Sequence, residues 1–388
     1  MDFFKKDVER FEKMFQRGKF DFSYSSESKM VFGANVLHYA AQQGNLDRVK
    51  TLCERGANLY LPDGNGVPVL HYAAKSGNLE LVKWLAGQGL KVTIKDQWGT
   101  TVLHCAAESG NLKLVQWLVE QGLDVKAKDD HKATALHEAA GVGSLELVQW
   151  LVGQGLDVNA KTGLKHTSLH RAAVNGSFEL IQWLVQHGAK VNVKDVWKNT
   201  AIQYAAQSGS LESVQFLFEQ GVKINTKNLI KKTILSYAAQ SGNLKLVQWL
   251  IQQGLDINAK DEFGNTILLE AAASGSLELV QWLVEQGLDI HAKDNDGESV
   301  LIKAADSDSL ELVQWLVEQG VKVKAPRNSR ISVLHSAIWN DNLKMLQYLV
   351  ERGANINSKD HYERTVLDYA KERASRELIQ WLEEQGAK

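Results

Sequence analysis

The sequence predicts an all-α solenoid, in which short helix–turn–helix units stack side by side. Three observations support this prediction. The heptapeptide Thr-Val-Leu-His-Cys-Ala-Ala at residues 101–107 returns, with variations, every 33 residues. Eleven such repeats follow one another without insertion or deletion, and the repeat contains two apolar stretches with helical spacing. A fixed period of this length is typical of stacked supersecondary units, so it indicates the fold class before any single residue is considered.

One repeat, residues 96–128, shows how the two helices are delimited. Thr101 is a good N-cap for the first helix, because its hydroxyl can accept from a backbone amide of the first turn. Gly110 ends that helix and Asn111 starts the next. Gly122 supplies a left-handed C-terminal cap. The remaining residues are predicted to form an extended, hairpin-like connection.

The consensus Asp-x-x-Gly-x-Thr-x-Leu-His-x-Ala-Ala, followed by a leucine-valine helix and Gly-x-Asp-Val, resembles the ankyrin repeat. The resemblance covers nearly the whole chain, although the proline usual before Leu-His is absent. It implies helix pairs whose hairpin tips project like fingers along one edge. It also implies that fingers and inner helices line a concave face that binds other proteins.

We expect two segments of different kinds. Residues 30–388 form the solenoid of eleven repeats, the last of which caps that end. Residues 1–29 form an N-terminal capping helix and a serine-rich connector, because Phe4, Val8 and Phe11 make one apolar stripe on a polar helix. This leaves no separate catalytic domain.

Composition sets further bounds. The chain has 388 residues and a formal net charge of −2, which argues neither for nor against an anionic partner. No apolar run approaches the roughly 20 residues of a membrane-spanning helix, and the charged N-terminus is unlike a signal peptide. Cys53 and Cys105 lie in different repeats, which disfavours a disulfide and favours a reducing, cytoplasmic location.

A column of histidines invites a metal-binding interpretation, but its spacing argues against one. Stacked helices lie about 8–10 Å apart, so neighbouring histidines cannot share a metal at bonds of about 2 Å. A hydrogen bond to the capping Thr hydroxyl or to a loop carbonyl explains the column better. Phosphate-binding, zinc-protease and nucleophile-elbow motifs are absent from the sequence. We therefore predict no enzyme activity, no catalytic residues, no metal and no cofactor. The column consists of His38, His71, His104, His137, His170 and His335.

The finger turns depart from the repeat in one consistent way. Four consecutive repeats replace the turn glycine with Lys132, Lys165, Lys198 and Lys231. If the turn needs a positive φ, each lysine costs on the order of 1 kcal/mol. Such a repeated cost suggests a function rather than chance.

Apolar and basic neighbours strengthen this hypothesis, and together they form the predicted partner-binding edge. The partner would be another protein with an acidic or phosphorylated segment, steered by the lysines. Two alternatives remain: solvated lysines in relaxed turns without a function, or binding of nucleic acid or an anionic membrane. The neighbours are His131, Leu164, Trp197, Ile230, Lys232 and Phe263.

A second candidate patch lies near the C-terminus, centred on Trp339 on a first helix. Trp, Tyr and Arg are enriched among binding hot spots, but a terminal repeat repacking its own end explains the patch equally well. Its other members are Arg327, Arg330, Tyr362, Arg364 and Arg373.

Near-identical repeats also resemble the ankyrin arrays that intracellular bacteria and large viruses direct against host proteins. On that resemblance we expect a monomeric scaffold, with an effector role in a host cytoplasm as one form of it.

Overall fold

A computed structural model describes residues 36–324 and 331–388. These residues contain 22 α-helices and no β-strand, which confirms the all-α prediction. No helix among them is long and apolar enough to cross a bilayer. The expected capping helix and connector of residues 1–29 lie outside the described residues.

Short first helices alternate with nine-residue second helices in two compact units, Met1–Val193 and Lys194–Lys388. The helices of the first unit are α1 Val36–Gln42, α2 Leu46–Glu54, α3 Val69–Lys75, α4 Leu79–Gly87, α5 Val102–Glu108, α6 Leu112–Glu120, α7 Ala135–Gly141, α8 Leu145–Gly153, α9 Ser168–Asn175 and α10 Phe178–Gln186.

The second unit repeats the same alternation. Its helices are α11 Ala201–Gln207, α12 Leu211–Glu219, α13 Ile234–Gln240, α14 Leu244–Gln252, α15 Ile267–Ala273, α16 Leu277–Glu285, α17 Val300–Asp306, α18 Leu310–Glu318, α19 Val333–Trp339, α20 Leu343–Glu351, α21 Val366–Arg373 and α22 Arg376–Glu384.

The predicted caps delimit α5 and α6. The Thr101 hydroxyl accepts from the backbone N–H of His104, and the Asn111 side chain accepts from that of Leu114 at 3.1 Å. Gly122 ends the pair with a φ of 91°. Because each side-chain cap satisfies an N–H that the helix leaves unpaired, the cap residues set the start of each helix.

The core consists of small residues on the first helices and branched ones on the second. In the pair α5 and α6, Leu103, Ala106, Leu114 and Leu118 are essentially inaccessible to solvent. Alanine on the first helix allows close helix packing, and the leucines fill the remaining space. Several residues at the tips of the connecting fingers are exposed, and they form the candidate site.

Candidate functional site at the finger turns

Each finger turn is held by one polar side chain at its start. In the finger of residues 96–100, Asp96 Oδ1 accepts from the N–H groups of Trp98 at 2.9 Å and Thr100 at 2.8 Å. The Asp96 N–H donates to the Thr100 carbonyl at 3.1 Å, and the Gly99 N–H donates to the Asp96 carbonyl at 3.2 Å. This turn closed by an aspartate side chain explains why the finger keeps one shape.

Lysine adopts the same left-handed backbone as glycine at the fourth position of this turn. The turn glycines Gly66 and Gly99 have φ of 74° and 72°. The lysines Lys132, Lys165, Lys198 and Lys231 have φ of 62°, 63°, 68° and 61°. The turn therefore does need a positive φ, and each lysine carries the cost of about 1 kcal/mol expected for a side chain in this region. All four lysines are exposed.

In the first unit, two lysine-bearing fingers contact each other through the backbone. The N–H of Gly163 donates to the His131 carbonyl at 2.6 Å. The predicted tip residues His131 and Leu164 are both exposed, Leu164 to 49%. An apolar side chain and two ammonium groups thus face solvent on neighbouring tips.

In the second unit, Trp197 and Phe263 are exposed to 43% and 54%, as the sequence predicts. Ile230 is only partly exposed, whereas the preceding Leu229 is exposed to 49%. Sequence reasoning assigned the tip to Ile230 by register and missed Leu229. Leu229 and Ile230 are adjacent and both apolar, so their residue types alone did not show which of the two is exposed.

Lys232, which the sequence places among the partner-binding residues, is buried in an ion pair. Its ammonium donates to Glu270 Oε1 at 2.7 Å, and both side chains are only 9% exposed. The same ammonium lies 5.1 Å from the centroid of the Tyr237 ring. The ion pair with Glu270 connects the finger of Lys232 to α15, the first helix of the following repeat. The Lys232 ammonium is therefore buried and neutralised.

A polar network behind the fingers of the second unit also escaped sequence analysis. The Tyr204 hydroxyl donates to Asp195 Oδ2 at 2.5 Å, and the Tyr237 hydroxyl donates to Asn199 Oδ1 at 3.2 Å. Asn228 Nδ2 donates to the Tyr237 oxygen at 3.0 Å. Burial, aided by the bond to Asp195, raises the pKa of Tyr204. Tyr204 and Tyr237 occupy equivalent positions on α11 and α13, and this repetition was the sequence signal for the network. Both tyrosines hydrogen-bond to polar residues of the fingers.

The histidine column has the structural role that the sequence predicts. His104 Nδ1 lies 2.8 Å from Thr101 Oγ1, and its Nε2 lies 3.1 Å from the Ala133 carbonyl oxygen. Because a carbonyl only accepts, Nε2 carries the proton and Nδ1 accepts. Burial lowers the pKa of His71 and His137, and it lowers that of His38 to about 4. Burial therefore favours the neutral form of His38, His71 and His137. The rings of His104 and His137 link a helix cap, Thr101 or Thr134, to a carbonyl of the next loop.

Neither cysteine is in a disulfide, and both are partly buried. Burial raises the pKa of the Cys105 thiol to about 12, and it also raises that of Cys53. In the part of the chain that the structure describes, no cluster of three or more His, Cys, Asp or Glu residues is placed to hold a metal ion.

The C-terminal patch separates into two pairs. Trp339 is exposed to 59%, and the Arg373 guanidinium lies 4.1 Å from its ring centroid. Tyr362 is exposed to 65%, with the guanidinium of Arg364 5.4 Å from its ring. Arg327 and Arg330 lie outside the described residues.

Arg364 in this patch makes hydrogen bonds to side chains of its own repeat. Its Nε donates to Asp360 Oδ2 at 2.9 Å and its NH2 to the Tyr369 hydroxyl at 2.8 Å. Burial opposes ionisation of Asp360, but hydrogen bonds from Arg364 and from the Tyr362 N–H hold its pKa below the usual value. This geometry favours internal repacking for Arg364 more than for the exposed pair of Trp339 and Arg373.

Comparison with known proteins gives a family assignment. A family model for ankyrin repeats matches the chain in five stretches, at residues 8–96, 70–162, 136–228, 235–327 and 268–360. No curated protein matches the sequence. Helix pairs, capping threonines and left-handed glycines agree with that match. Ankyrin repeats generally mediate protein–protein interactions. The chain belongs to the ankyrin-repeat family.

Proposed function

We propose that this chain is a non-enzymatic scaffold that binds an acidic or phosphorylated segment of a partner protein at its finger turns. The observation that supports the proposal is the set of four exposed lysines in left-handed turns, Lys132, Lys165, Lys198 and Lys231. Other fingers of the same chain have glycine at this turn position. Glycine adopts a positive φ without the cost that lysine carries, so the turn itself does not require lysine. Lysine in four successive repeats is therefore explained if its ammonium contacts the partner.

Apolar tips supply the second part of the interface. Leu164 and Trp197 are exposed directly before Lys165 and Lys198, and Phe263 is exposed on the finger that follows the finger of Lys231. Interfaces join a desolvated apolar centre to a polar rim, and complementary charge raises the rate of encounter more than the final affinity. Binding through this edge is expected to weaken with salt without vanishing.

Nucleic acid and anionic membranes fit this edge less well. Exposed carboxylates of Asp130 and Glu262 lie on the same fingers as Lys132 and Phe263. A phosphate backbone or a lipid surface presents one sign of charge throughout and would be repelled at these points. A protein segment can vary its charge from residue to residue.

The wider setting is also a proposal. The chain has the eleven repeats read from the period of its sequence, and the scaffold acts as a monomer. Two cysteines outside any disulfide agree with a reducing cytoplasm. Its role as an effector on host proteins rests on the resemblance of its near-identical repeats to arrays that pathogens use.

The test compares two variants with equal loss of charge. One replaces Lys132, Lys165, Lys198 and Lys231 with glutamate. The control replaces four other exposed lysines, Lys113, Lys223, Lys245 and Lys344, of which three lie on second helices.

Each variant and the wild type are used for pull-downs from eukaryotic cytosol and for binding to arrays of acidic and phosphorylated peptides, at two salt concentrations. We expect the finger variant to lose its ligands and the control to keep them, with unchanged circular dichroism in both. Equal capture by both variants would reject the turn lysines and move the site to Trp339 and Arg373. Capture of nucleic acid with a steep salt dependence would favour the alternative function.

A further inference from the structure

We infer that mild acid unfolds the repeats of the first unit before those of the second. The first unit has a histidine at the same first-helix position in five consecutive repeats, whereas the second has one histidine at this position in six repeats. The inference does not depend on the proposed function. It has a consequence for it, because the fingers of Lys132 and Lys165 belong to the acid-sensitive unit.

The histidines of the first unit are buried side by side along the stack. None of the five is more than 2% exposed. A buried imidazole is stable only in its neutral form unless its positive charge is compensated, so a whole column of such rings opposes the uptake of protons. The five are His38, His71, His104, His137 and His170.

The contacts of His137 show which bonds protonation would break. The Thr134 N–H donates to His137 Nδ1 at 3.2 Å, and Thr134 Oγ1 lies 2.9 Å from the same nitrogen. His137 Nε2 donates to the Ala160 carbonyl at 3.0 Å. A protonated ring donates from both nitrogens and accepts from neither. The backbone N–H at the helix cap would therefore lose its acceptor at the same time as a charge is buried.

Two other histidines of the first unit make the same cap contact. His104 Nδ1 lies 2.8 Å from Thr101 Oγ1, and His170 Nδ1 lies 2.9 Å from Thr167 Oγ1. In both repeats the Thr backbone N–H also donates to that ring nitrogen. Protonation would thus disturb the start of the first helix in three successive repeats.

Carboxylates near the start of the column do not compensate for burial. Burial lowers the pKa of His38 to about 4, although the charge of Asp63 raises it. Burial also lowers the pKa of His71 against the charge of Asp96, and the charge of His104 lowers it further. The edge of the Tyr72 ring and the carbonyls of Val67 and Thr100 also face these two histidines.

A basic side chain adds to the effect of burial further along the column. Burial lowers the pKa of His137, and the charge of Arg171 on α9 lowers it further, while the charge of Asp129 opposes both. The ring of His166 stacks on that of His170 with centroids 5.6 Å apart. Uptake of a proton is therefore disfavoured at both ends of the column.

The second unit builds the same cap from a side chain that does not titrate. The Thr200 N–H donates to Gln203 Oε1 at 2.9 Å, and the Thr200 hydroxyl donates to the same oxygen at 2.8 Å. Gln203 Nε2 donates to Thr226 Oγ1 at 3.1 Å. An amide keeps one acceptor and one donor at every pH of interest. The next three repeats have Ser236, Leu269 and Ile302 at this position.

His335 is the one histidine of the column in the second unit. Burial lowers its pKa, although the Arg364 carbonyl and the charge of Asp360 raise it. Its ring also meets that of Tyr369 edge-on, with centroids 4.8 Å apart. We therefore expect the second unit to lose some stability in acid, but less than the first.

Two buried carboxyl groups act in the opposite sense without creating the difference. Burial raises the pKa of Glu138, whose charge also faces His104, and burial raises that of Asp306. A raised pKa means that the folded chain binds the proton more tightly, so acid stabilises the folded state at these sites. Glu138 lies in the first unit and Asp306 in the second, so the two effects oppose acid unfolding in both units.

The sign and the pH window follow from linkage. A histidine with a lowered pKa contributes its full stability above its unfolded value of 6.5 and loses it as the pH falls toward the folded value, about 4 for His38. At about pH 5, His38 alone raises the unfolding equilibrium constant about thirtyfold. The lowered pKa values of His71 and His137 act in the same direction.

The test measures the unfolding of each unit within the full chain. The chain is titrated with urea at about pH 7.5 and about pH 5. A brief deuterium pulse, adjusted to the intrinsic exchange rate at each pH and analysed by mass spectrometry, gives an unfolding midpoint for the peptides of each unit. Labelling of Cys53 and Cys105 with a dipyridyl disulfide is a second measure, because both cysteines lie in the first unit.

Three variants connect the result to the column. His71→Gln/His137→Gln should keep the hydrogen bonds that Gln203 makes in its own repeat, and should therefore raise the midpoint of the first unit at the lower pH only. Gln203→His is the reciprocal variant and should lower the midpoint of the second unit at the lower pH. His131→Gln, at an exposed finger tip outside the column, is the control and should change neither pH dependence.

We expect the unfolding constant of the first unit to rise at least about thirtyfold between the two pH values, and that of the second to rise less. Equal changes in the two units would overturn the inference. A first unit that remains equally acid-sensitive in His71→Gln/His137→Gln would also overturn it. If that double variant does not fold at the higher pH, Gln203→His decides: an unchanged second unit at the lower pH would reject the column as the cause.

Discussion

Glycine turns and lysine turns of this molecule have the same backbone. The Gly66 N–H donates to the Asp63 carbonyl at 3.0 Å, and the Lys132 N–H donates to the Asp129 carbonyl at 2.9 Å. Their φ values are 74° and 62°. The hydrogen bonds of the hairpin therefore determine the turn, and residue identity changes only its energetic cost and the group exposed outside. The finger of residues 360–364 supports this with Glu363, whose φ is 63°.

The glycine turns are not equivalent to one another. A Cβ added to Gly66 would lie 3.7 Å from its nearest neighbour, whereas one added to Gly264 would lie 2.4 Å from Asn295 Oδ1. A Cβ at Gly264 would therefore displace the Asn295 side chain, in addition to the cost of its φ.

We expect the largest loss of stability when the buried lysine of this region, Lys232, loses its ion-pair partner. Glu270→Ala would leave the Lys232 ammonium buried without its partner, at a cost of about 3–5 kcal/mol in the free energy of unfolding. The double variant Lys232→Met/Glu270→Leu should recover most of that loss, because two apolar side chains pack where the ions were.

Urea denaturation measures these differences, with Lys231→Ala as the outward control and an expected change below about 1 kcal/mol. A Glu270→Ala chain as stable as wild type would show that the inward and outward lysines are energetically alike, and the contrast between them would fail.

Relieving the strained turns should give the next largest effect. Replacing Lys132, Lys165, Lys198 and Lys231 with glycine is expected to raise the free energy of unfolding by about 0.5–1 kcal/mol per site, since glycine accepts positive φ although it also frees the unfolded chain. The same variant should lose partner binding.

Alanine at the four sites removes the charge and keeps the strain, so it serves as the matched control. Thermal and urea unfolding compare the stabilities of the two variants. If the glycine variant is no more stable than the alanine variant, backbone strain does not distinguish the lysine turns from the glycine turns.

The smallest expected change in stability comes from substituting the turn glycines, and it tests whether these turns differ from one another. Gly66→Ala should cost about 1 kcal/mol, from φ alone. Gly264→Ala should cost measurably more, because its Cβ displaces the Asn295 side chain. Adding Asn295→Gly should remove the extra cost at residue 264 without affecting residue 66. Equal losses at both sites in urea denaturation would show that the close approach of Asn295 is easily relieved.

Local features of this chain were predictable because they depend on residues close in sequence. The period placed the helix pairs, Thr101 and Asn111 placed their starts, and the turn lysines were expected to have positive φ and do. Exposure of Trp197, Phe263 and Trp339 also followed from their register within the repeat. Caps and tight turns close through bonds that span three or four residues, so a linear pattern contains them.

Sequence by itself thus determined the family, the stacking unit and the position of each finger. Only the tertiary structure decided which neighbours of the turn lysines face solvent. Lys232 turns inward because Glu270 lies 38 residues further along the chain, and Leu229 is more exposed than Ile230. Arg373 covers Trp339 from a helix in the next repeat. A side chain of several rotatable bonds takes its direction from charges and rings that stacking brings near it, and such contacts have no fixed spacing in sequence.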